Sequence, residues 1–384
     1  MYNFDNVIER RGTDSLKYDY AKERGIPESA LPLWVADMDF QIPPEAKEAL
    51  IKSAKHSIFG YTITKDDYNQ VVIDWFAKHY SFQSKADWIV QVPGIVFALA
   101  QAVRAFTQVG EAVMIQRPVY YPFMSVITSN NRKLVDNPLV YHNGRYHIDF
   151  EDFERKIVDN DVRMFILCSP HNPVSRVWTI AELTEMAKIC QRHNCIVVSD
   201  EIHCDITFPG HTHKMFPSID NTVICTAPSK TFNLAGLQNA NLFIANEDLR
   251  KRYLKELDCS GYSQLNTMGL VACKAVYEHG YNWLLELRKY LHDNFEFLKA
   301  YFNENIPKVK VIEPEGTYLI WLDFSAFGLH QNELDSILIN QAGVWLSSGT
   351  SFGPQGEGFQ RINIACPRNT LQDALNRIGG VAWN

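Results

Sequence analysis

Residues 196–203 read Ile196-Val-Val-Ser-Asp-Glu-Ile-His203. Three β-branched residues run consecutively rather than alternating with polar ones. A strand of that kind is buried on both faces, as in a mainly parallel sheet covered by helices. It ends on Asp200, with His203 three residues on. The same pattern recurs at Ala112–Gln116, Met164–Cys168, Val223–Thr226 and Leu242–Ala245. Amphipathic stretches separate these runs, among them Ile180–His193, closed by Asn194, and Phe97–Phe106. Alternation of this type predicts an α/β fold of three layers, α/β/α.

Beyond Tyr281 the character changes. A long helical pattern, Trp283–Phe302, leads into apolar runs at Val309–Ile312, Tyr318–Asp323 and Gln360–Ala365. That mixture predicts a smaller α+β domain. The first residues are polar and proline-containing, and read as an arm docked on a larger body, with a helix starting at Pro43. The expected division is an arm at 1–47 that shares in the small domain, a large domain at 48–282 and a small domain at 283–384. Gly349–Gly358 reads as one loop, placed at a cavity entrance by its composition.

Several function classes drop out. A chain of 384 residues that is 46% hydrophobic has ample material for a core, which excludes general disorder. The net charge of −7 gives no global attraction to nucleic acid or an anionic membrane surface. No run of 18 apolar residues occurs, so no membrane span is expected. Eight cysteines without a CxxC pair read as reduced, mostly buried thiols. With the polar opening segment, they point to a cytoplasmic protein. No GxGxxG follows a strand, which sets aside a dinucleotide-binding dehydrogenase. His203, His211 and His213 lie near Asp205, but read as part of a polar loop, so no metal site is expected.

Ligands of open α/β sheets bind beyond the carboxyl ends of the strands, so the residues there carry the candidate chemistry. After Val223–Thr226 comes Ala-Pro-Ser-Lys-Thr-Phe-Asn-Leu-Ala-Gly-Leu237, with Ser229 and Lys230 just past a buried strand. Desolvation there would lower the lysine pKa and make the amine nucleophilic. Asp200 can pair with a buried cation. Asn172, in Ser169-Pro-His-Asn-Pro173, can donate an amide hydrogen to a ligand oxygen. Tyr120, in Arg117-Pro-Val-Tyr120, can stack on a planar ring. Gly94, Ile95 and Val96, in Gln91-Val-Pro-Gly-Ile-Val96, open a helix whose free N–H groups suit a phosphate. Taken singly, each has a plain structural reading: a surface lysine, a capping aspartate, an Asn-Pro turn, a core aromatic, a common Pro-Gly helix start. Their joint occurrence, in this order, outweighs those readings.

In that order the motifs, with Arg361-Ile-Asn363, resemble the fold type I pyridoxal-phosphate enzymes, the aspartate aminotransferase superfamily, nearly end to end. Leu33-Trp-Val-Ala-Asp-Met-Asp-Phe40, Phe59-Gly-Tyr-Thr62 and Phe359–Arg368 resemble the cystathionine β-lyase, or C–S lyase, branch more closely. Gln238 stands where aminotransferases usually carry a phosphate-binding arginine, as in the lyase branch. The resemblance implies pyridoxal 5'-phosphate held as a Schiff base by Lys230. It implies Asp200 on the pyridine nitrogen, Asn172 and His203 on the phenolic oxygen and Tyr120 on the ring face. Gly94, Ile95, Val96 and Ser229 would hold the phosphate, joined by Tyr61 from the partner subunit of a homodimer. Arg361 would clamp the substrate α-carboxylate, and Trp34 would line the substrate pocket. The implied reaction is β-elimination from L-cystathionine or related S-substituted cysteines, giving a thiol, pyruvate and ammonia. An aminotransferase, or a regulatory binding protein on the same fold, stands as the alternative.

Overall fold

The computed structural model describes residues 2–383. A seven-stranded sheet runs in the order Ile89–Val92, Ala240–Phe243, Thr222–Thr226, Ile196–Asp200, Val162–Cys168, Ala112–Ile115, Lys133–Asp136. Ala240–Phe243 is antiparallel to both of its neighbours, and the other strands are mutually parallel. The burial of Val162–Cys168 shows why its apolar run is continuous. Met164, Ile166 and Cys168 join one hydrophobic cluster, and Phe165 and Leu167 join the other. Helices Ile95–Phe106 and Glu247–Cys259 cover the first face. Phe150–Asp159 and Ile180–Arg192 cover the second. The three layers expected from the sequence are therefore present.

Element boundaries differ from the sequence reading where polar residues take part. The last strand starts at Ala240 rather than Leu242, because Asn241 is fully buried within it. Its amide nitrogen donates to Cys273 Sγ, and its amide oxygen accepts from Tyr68 Oη at 3.0 Å. Ile89–Val92 and Lys133–Asp136 lie at the two edges of the sheet. Gln91 interrupts one apolar run and exposed Lys133 opens the other, so neither stands out in the sequence. Helix Ile180–Arg192 stops one residue early at His193, and Asn194 turns the chain at φ 53°. Its start is set by a reciprocal cap between Thr179 and Glu182.

A second sheet has four antiparallel strands, ordered Lys310–Val311, Leu319–Asp323, Phe359–Asn363, Ser347–Ser348. Helices Tyr281–Asn305 and Arg368–Gly379 pack against one another beside it. The arm joins this part through Leu31–Pro32, which pairs in parallel with Val344–Trp345. Ion pairs within the arm hold its own turns together. Arg10 reaches Asp37 and Asp39, each at 2.7 Å, and the fully buried Lys17 reaches Asp39 at 2.8 Å. A buried ammonium is tolerated there because a carboxylate meets it directly.

Candidate active site

Within the parallel strands, connections leave the Ala112–Ile115 strand in opposite directions. Lys133–Asp136 lies on one side, and Val162–Cys168 and its successors on the other. A crevice opens at such a reversal, outside the carboxyl ends of the strands. A cavity of about 150 Å³ occupies it. Nine residues named from the sequence line it: Gly94, Ile95, Val96, Tyr120, Asn172, Asp200, His203, Ser229 and Lys230. A second cavity, of about 320 Å³, is lined by Trp34 and Arg361 and shares Ala36, Tyr120 and Lys230 with the first. Lys230 thus stands where the two spaces meet.

The groups in the first cavity are buried and electrostatically unsettled. Asp200 is buried, and its Oδ1 accepts from the Ile202 backbone N–H at 3.1 Å. Desolvation raises its pKa to about 7, helped by the neighbouring Glu201 and opposed by Lys230. Glu201 itself is tied down, accepting from Ser199 Oγ, His213 Nε2 and the Phe216 N–H. His203 is held neutral, its pKa brought down to about 3 by burial and then by the charges of Lys230 and Arg361. Its Nδ1 has no hydrogen-bond partner among the described residues. Burial lowers Lys230 to about 8, although Asp37 and Asp200 favour its charged form.

These residues fit pyridoxal phosphate. A buried carboxylate beside an amine suits a cationic ring nitrogen, and an unpartnered neutral imidazole suits a ring oxygen. The twelve-residue helix Ile95–Phe106 begins at Gly94 and turns its free N–H groups towards the cavity wall, where an anion is favoured. Ser229 lies in the first turn of the short helix Pro228–Thr231, which carries Lys230.

Arg361 lies on Phe359–Asn363, opposite Ser347 on one neighbouring strand and Trp321 on the other. It is buried and donates to Asn172 Oδ1 at 2.9 Å, the Trp34 carbonyl at 2.6 Å and Ser347 Oγ at 3.0 Å. Among the described residues no carboxylate forms an ion pair with it, and its Nε is unpartnered. Burial lowers its pKa to about 10. A buried guanidinium with acceptors but no counter-ion is a ready site for a carboxylate. Because Asn172 Oδ1 accepts from Arg361, the amide nitrogen is the atom left to face the first cavity.

The sequence reading missed how the arm takes part. Every carbonyl from Trp34 to Met38 accepts from a side chain. Arg361 bonds Trp34, Asn363 bonds Val35 and Asp37, and Asn233 bonds Met38. Lys230 Nζ donates to the Ala36 carbonyl at 2.6 Å, as does Tyr318 Oη at 3.2 Å. Backbone acceptors leave no residue-type signal, so no pattern search finds them. Ser351 and Phe352 of the Gly349–Gly358 loop line the second cavity. That loop folds closely enough that a Cβ on Gly349 would lie 2.0 Å from the Gly356 carbonyl oxygen. Tyr61 lies outside both cavities of its own chain and is 91% exposed.

The family model described as "Aminotransferase class I and II" matches residues 29–378. The chain belongs to that family. It is 43% identical over 381 residues to cystathionine β-lyase PatB of Bacillus subtilis, covering 98% of each chain. The structure of cystalysin from Treponema denticola, which contains pyridoxal 5'-phosphate, superposes with a TM-score of 0.95. The match is 37% identical and covers 99% of this chain and 98% of that one. The PLP-bound C–S lyase of Staphylococcus hominis gives a TM-score of 0.92 at 33% identity, over 99% of this chain and 97% of that one. The fold is that of the type I pyridoxal-phosphate enzymes, in their C–S lyase branch, and the cofactor is pyridoxal 5'-phosphate. No helix among the described residues is long and apolar enough to cross a membrane.

Proposed function

We propose that this chain catalyses β-elimination from S-substituted cysteines, L-cystathionine among them, releasing a thiol, pyruvate and ammonia. The observation that carries the reading is the placement of Lys230 between the cofactor cavity and the cavity of Arg361, in a chain so similar to C–S lyases. Pyridoxal phosphate, when bound, supplies an electron sink for the pair left on Cα. The chain's own residues do the rest. Arg361 binds the α-carboxylate through its planar fork. With the cofactor bound, Asp200 would hold a proton on the ring nitrogen, Asn172 and His203 would donate to or accept from the phenolic oxygen, and Tyr120 would stack on the ring. Lys230 Nζ takes the Cα proton. The C–S bond at Cβ then breaks, the thiolate leaves, and hydrolysis of the three-carbon remainder gives pyruvate and ammonia.

Gln238 supports elimination over transamination. It lines the phosphate end of the cavity in a left-handed turn, φ 49°, and brings no charge there. The test is turnover of L-cystathionine with no keto acid present. Free thiol and pyruvate should accumulate linearly over many turnovers per active site. One equivalent followed by a stall would assign the aminotransferase reaction instead.

The same reading includes a cytoplasmic homodimer with the domain division at 47/48 and 282/283. Burial of seven of the eight cysteines supports the compartment, and helix Tyr281–Asn305, which leads from one sheet to the other, supports the second boundary. The dimer is supported by residues 58–63. Ile58, Phe59, Tyr61 and Ile63 are each more than 60% exposed there, an apolar concentration that suits a subunit contact. Tyr61 would then donate its hydroxyl to the phosphate in the partner's cavity. Tyr61→Phe is expected to raise the cofactor Kd by about tenfold, the worth of one charge-assisted hydrogen bond. Equilibrium dialysis measures it. An unchanged Kd with the dimer intact by sedimentation would remove Tyr61 from the phosphate site.

A further inference from the structure

The second cavity holds one cation, Arg24, that the elimination chemistry does not use. Its lining contains three cations, Arg24, Lys230 and Arg361, and no aspartate or glutamate. Arg361 is buried at one end, whereas Arg24 is exposed and lies in the arm, on the turn Lys22–Arg24. The Arg24 guanidinium carbon sits 4.7 Å from the centre of the Trp34 ring. Trp34 in turn stacks on Trp345 at 4.4 Å and 23°. Among the described residues the Arg24 side chain has no ion pair and no hydrogen bond, so its planar donors are uncommitted while the indole stack holds the group in place. Ser348 and Ser351 add hydroxyls along the same wall.

We propose that Arg24 binds an anionic group on the leaving thiol, so that this enzyme prefers S-substituted cysteines whose S-substituent ends in a carboxylate. The proposal rests on the elimination reading and adds the class of leaving group to it. The α-carboxylate goes to Arg361, Cα and Cβ lie at Lys230, and the S-substituent extends past Trp34 towards Arg24. A cavity lined by one sign of charge concentrates ligands of the other sign. An S-substituent ending in an ammonium would meet the Arg24 cation and no acceptor carboxylate.

The test uses three substrates of matched length. S-(3-carboxypropyl)-L-cysteine and S-(3-carbamoylpropyl)-L-cysteine are nearly isosteric and differ by one charge, and S-(3-aminopropyl)-L-cysteine carries the opposite charge. Pyruvate release gives kcat/KM for each with the loaded enzyme. The carboxylate should lead the amide by about fivefold at low ionic strength, the scale of an exposed ion pair. The advantage should lie in KM and shrink as salt is added. The amine should be poorest. In Arg24→Gln the carboxylate-to-amide ratio should fall to about one, and in Arg24→Glu it should invert, while Arg24→Lys should keep part of it. A ratio near one in the wild type, or one unchanged by Arg24→Gln, overturns the proposal while leaving elimination standing. No pyruvate from any of the three overturns the elimination reading itself.

Discussion

Replacing Lys230 by alanine is expected to lower elimination by about 10⁴-fold or more, the upper range for removing a positioned general base. The loss goes beyond the base, because the same amine anchors the cofactor. Tyr120, the other ionisable side chain at the junction of the two cavities, cannot substitute, because burial pushes its phenol up to about 12. Asp200 lies at the ring-nitrogen end, His203 is held neutral with its pKa near 3, and Arg361 is committed to Asn172, Trp34 and Ser347. A second measurement separates loss of the amine from loss of the fold. Borohydride should fix pyridoxal phosphate to the peptide carrying Lys230 in the wild type, and to no peptide in the variant. A third measurement uses pH. The amine must be neutral to attack an aldehyde, and burial brings Lys230 down to about 8 from an ordinary value of 10.5. Below pH 8 the ammonium dominates, so capture of cofactor by stripped enzyme should quicken about tenfold per pH unit. Above pH 8 the rate should level off. A rate that is flat between pH 6 and 9, or one that keeps rising towards pH 10, would show that the cavity does not desolvate this lysine.

Much of this site is legible in the sequence because a parallel sheet writes its binding residues next to its strands. Asp200 is the last residue of its strand, Asn172 follows Cys168 by four, and Ser229 and Lys230 follow Thr226 by three and four. A continuous apolar run marks the strand, and the next polar residues mark the crevice. Arg361 is the exception within that logic. It sits mid-strand in the second sheet, and only its place in a longer motif distinguishes it from a strand-edge ion pair. What stays hidden depends on groups without sequence identity or on distant partners. The carbonyls of residues 34–38 belong to any residue type. The Asp205 carboxylate collects Trp75 and Tyr80 from the helix Asp66–Tyr80 and Thr231 from the helix Pro228–Thr231, bracing the turn that carries Lys230. Arg24, nine residues before the Leu33-Trp-Val-Ala-Asp-Met-Asp-Phe40 motif, reaches the cavity because Leu31–Pro32 pairs with Val344–Trp345 and lays Trp34 on Trp345. That pairing joins segments about 310 residues apart, which local periodicity cannot express.

Arg361→Leu should reduce kcat/KM by about 10² to 10³-fold, the cost of losing a buried, hydrogen-bonded partner for a substrate charge. The free enzyme carries that guanidinium without a counter-ion, and burial alone pulls its pKa down to about 10. Only the neutral acceptors on Asn172, Trp34 and Ser347 offset its desolvation until a carboxylate arrives. An apolar side chain of similar length removes the desolvation while giving up the bonds to Trp34, Asn172 and Ser347. The two changes oppose each other, so the thermal midpoint of the loaded, substrate-free enzyme should move by only a few degrees. Cofactor loading should fall only slightly, since Arg361 lines the second cavity and reaches the first only through Asn172, whose amide loses the donor that orients it. Arg361→Lys keeps the charge but loses the fork, and should recover part of the rate through a lower KM. The decisive comparison is between two ligands that cannot eliminate, L-alanine and ethylamine, which differ by the carboxylate. The wild type should bind L-alanine far more tightly by the spectral change of the cofactor, and Arg361→Leu should bind the two nearly alike. If the variant instead unfolds or sheds its cofactor while still preferring L-alanine, Arg361 is a brace for the arm and the α-carboxylate is read elsewhere.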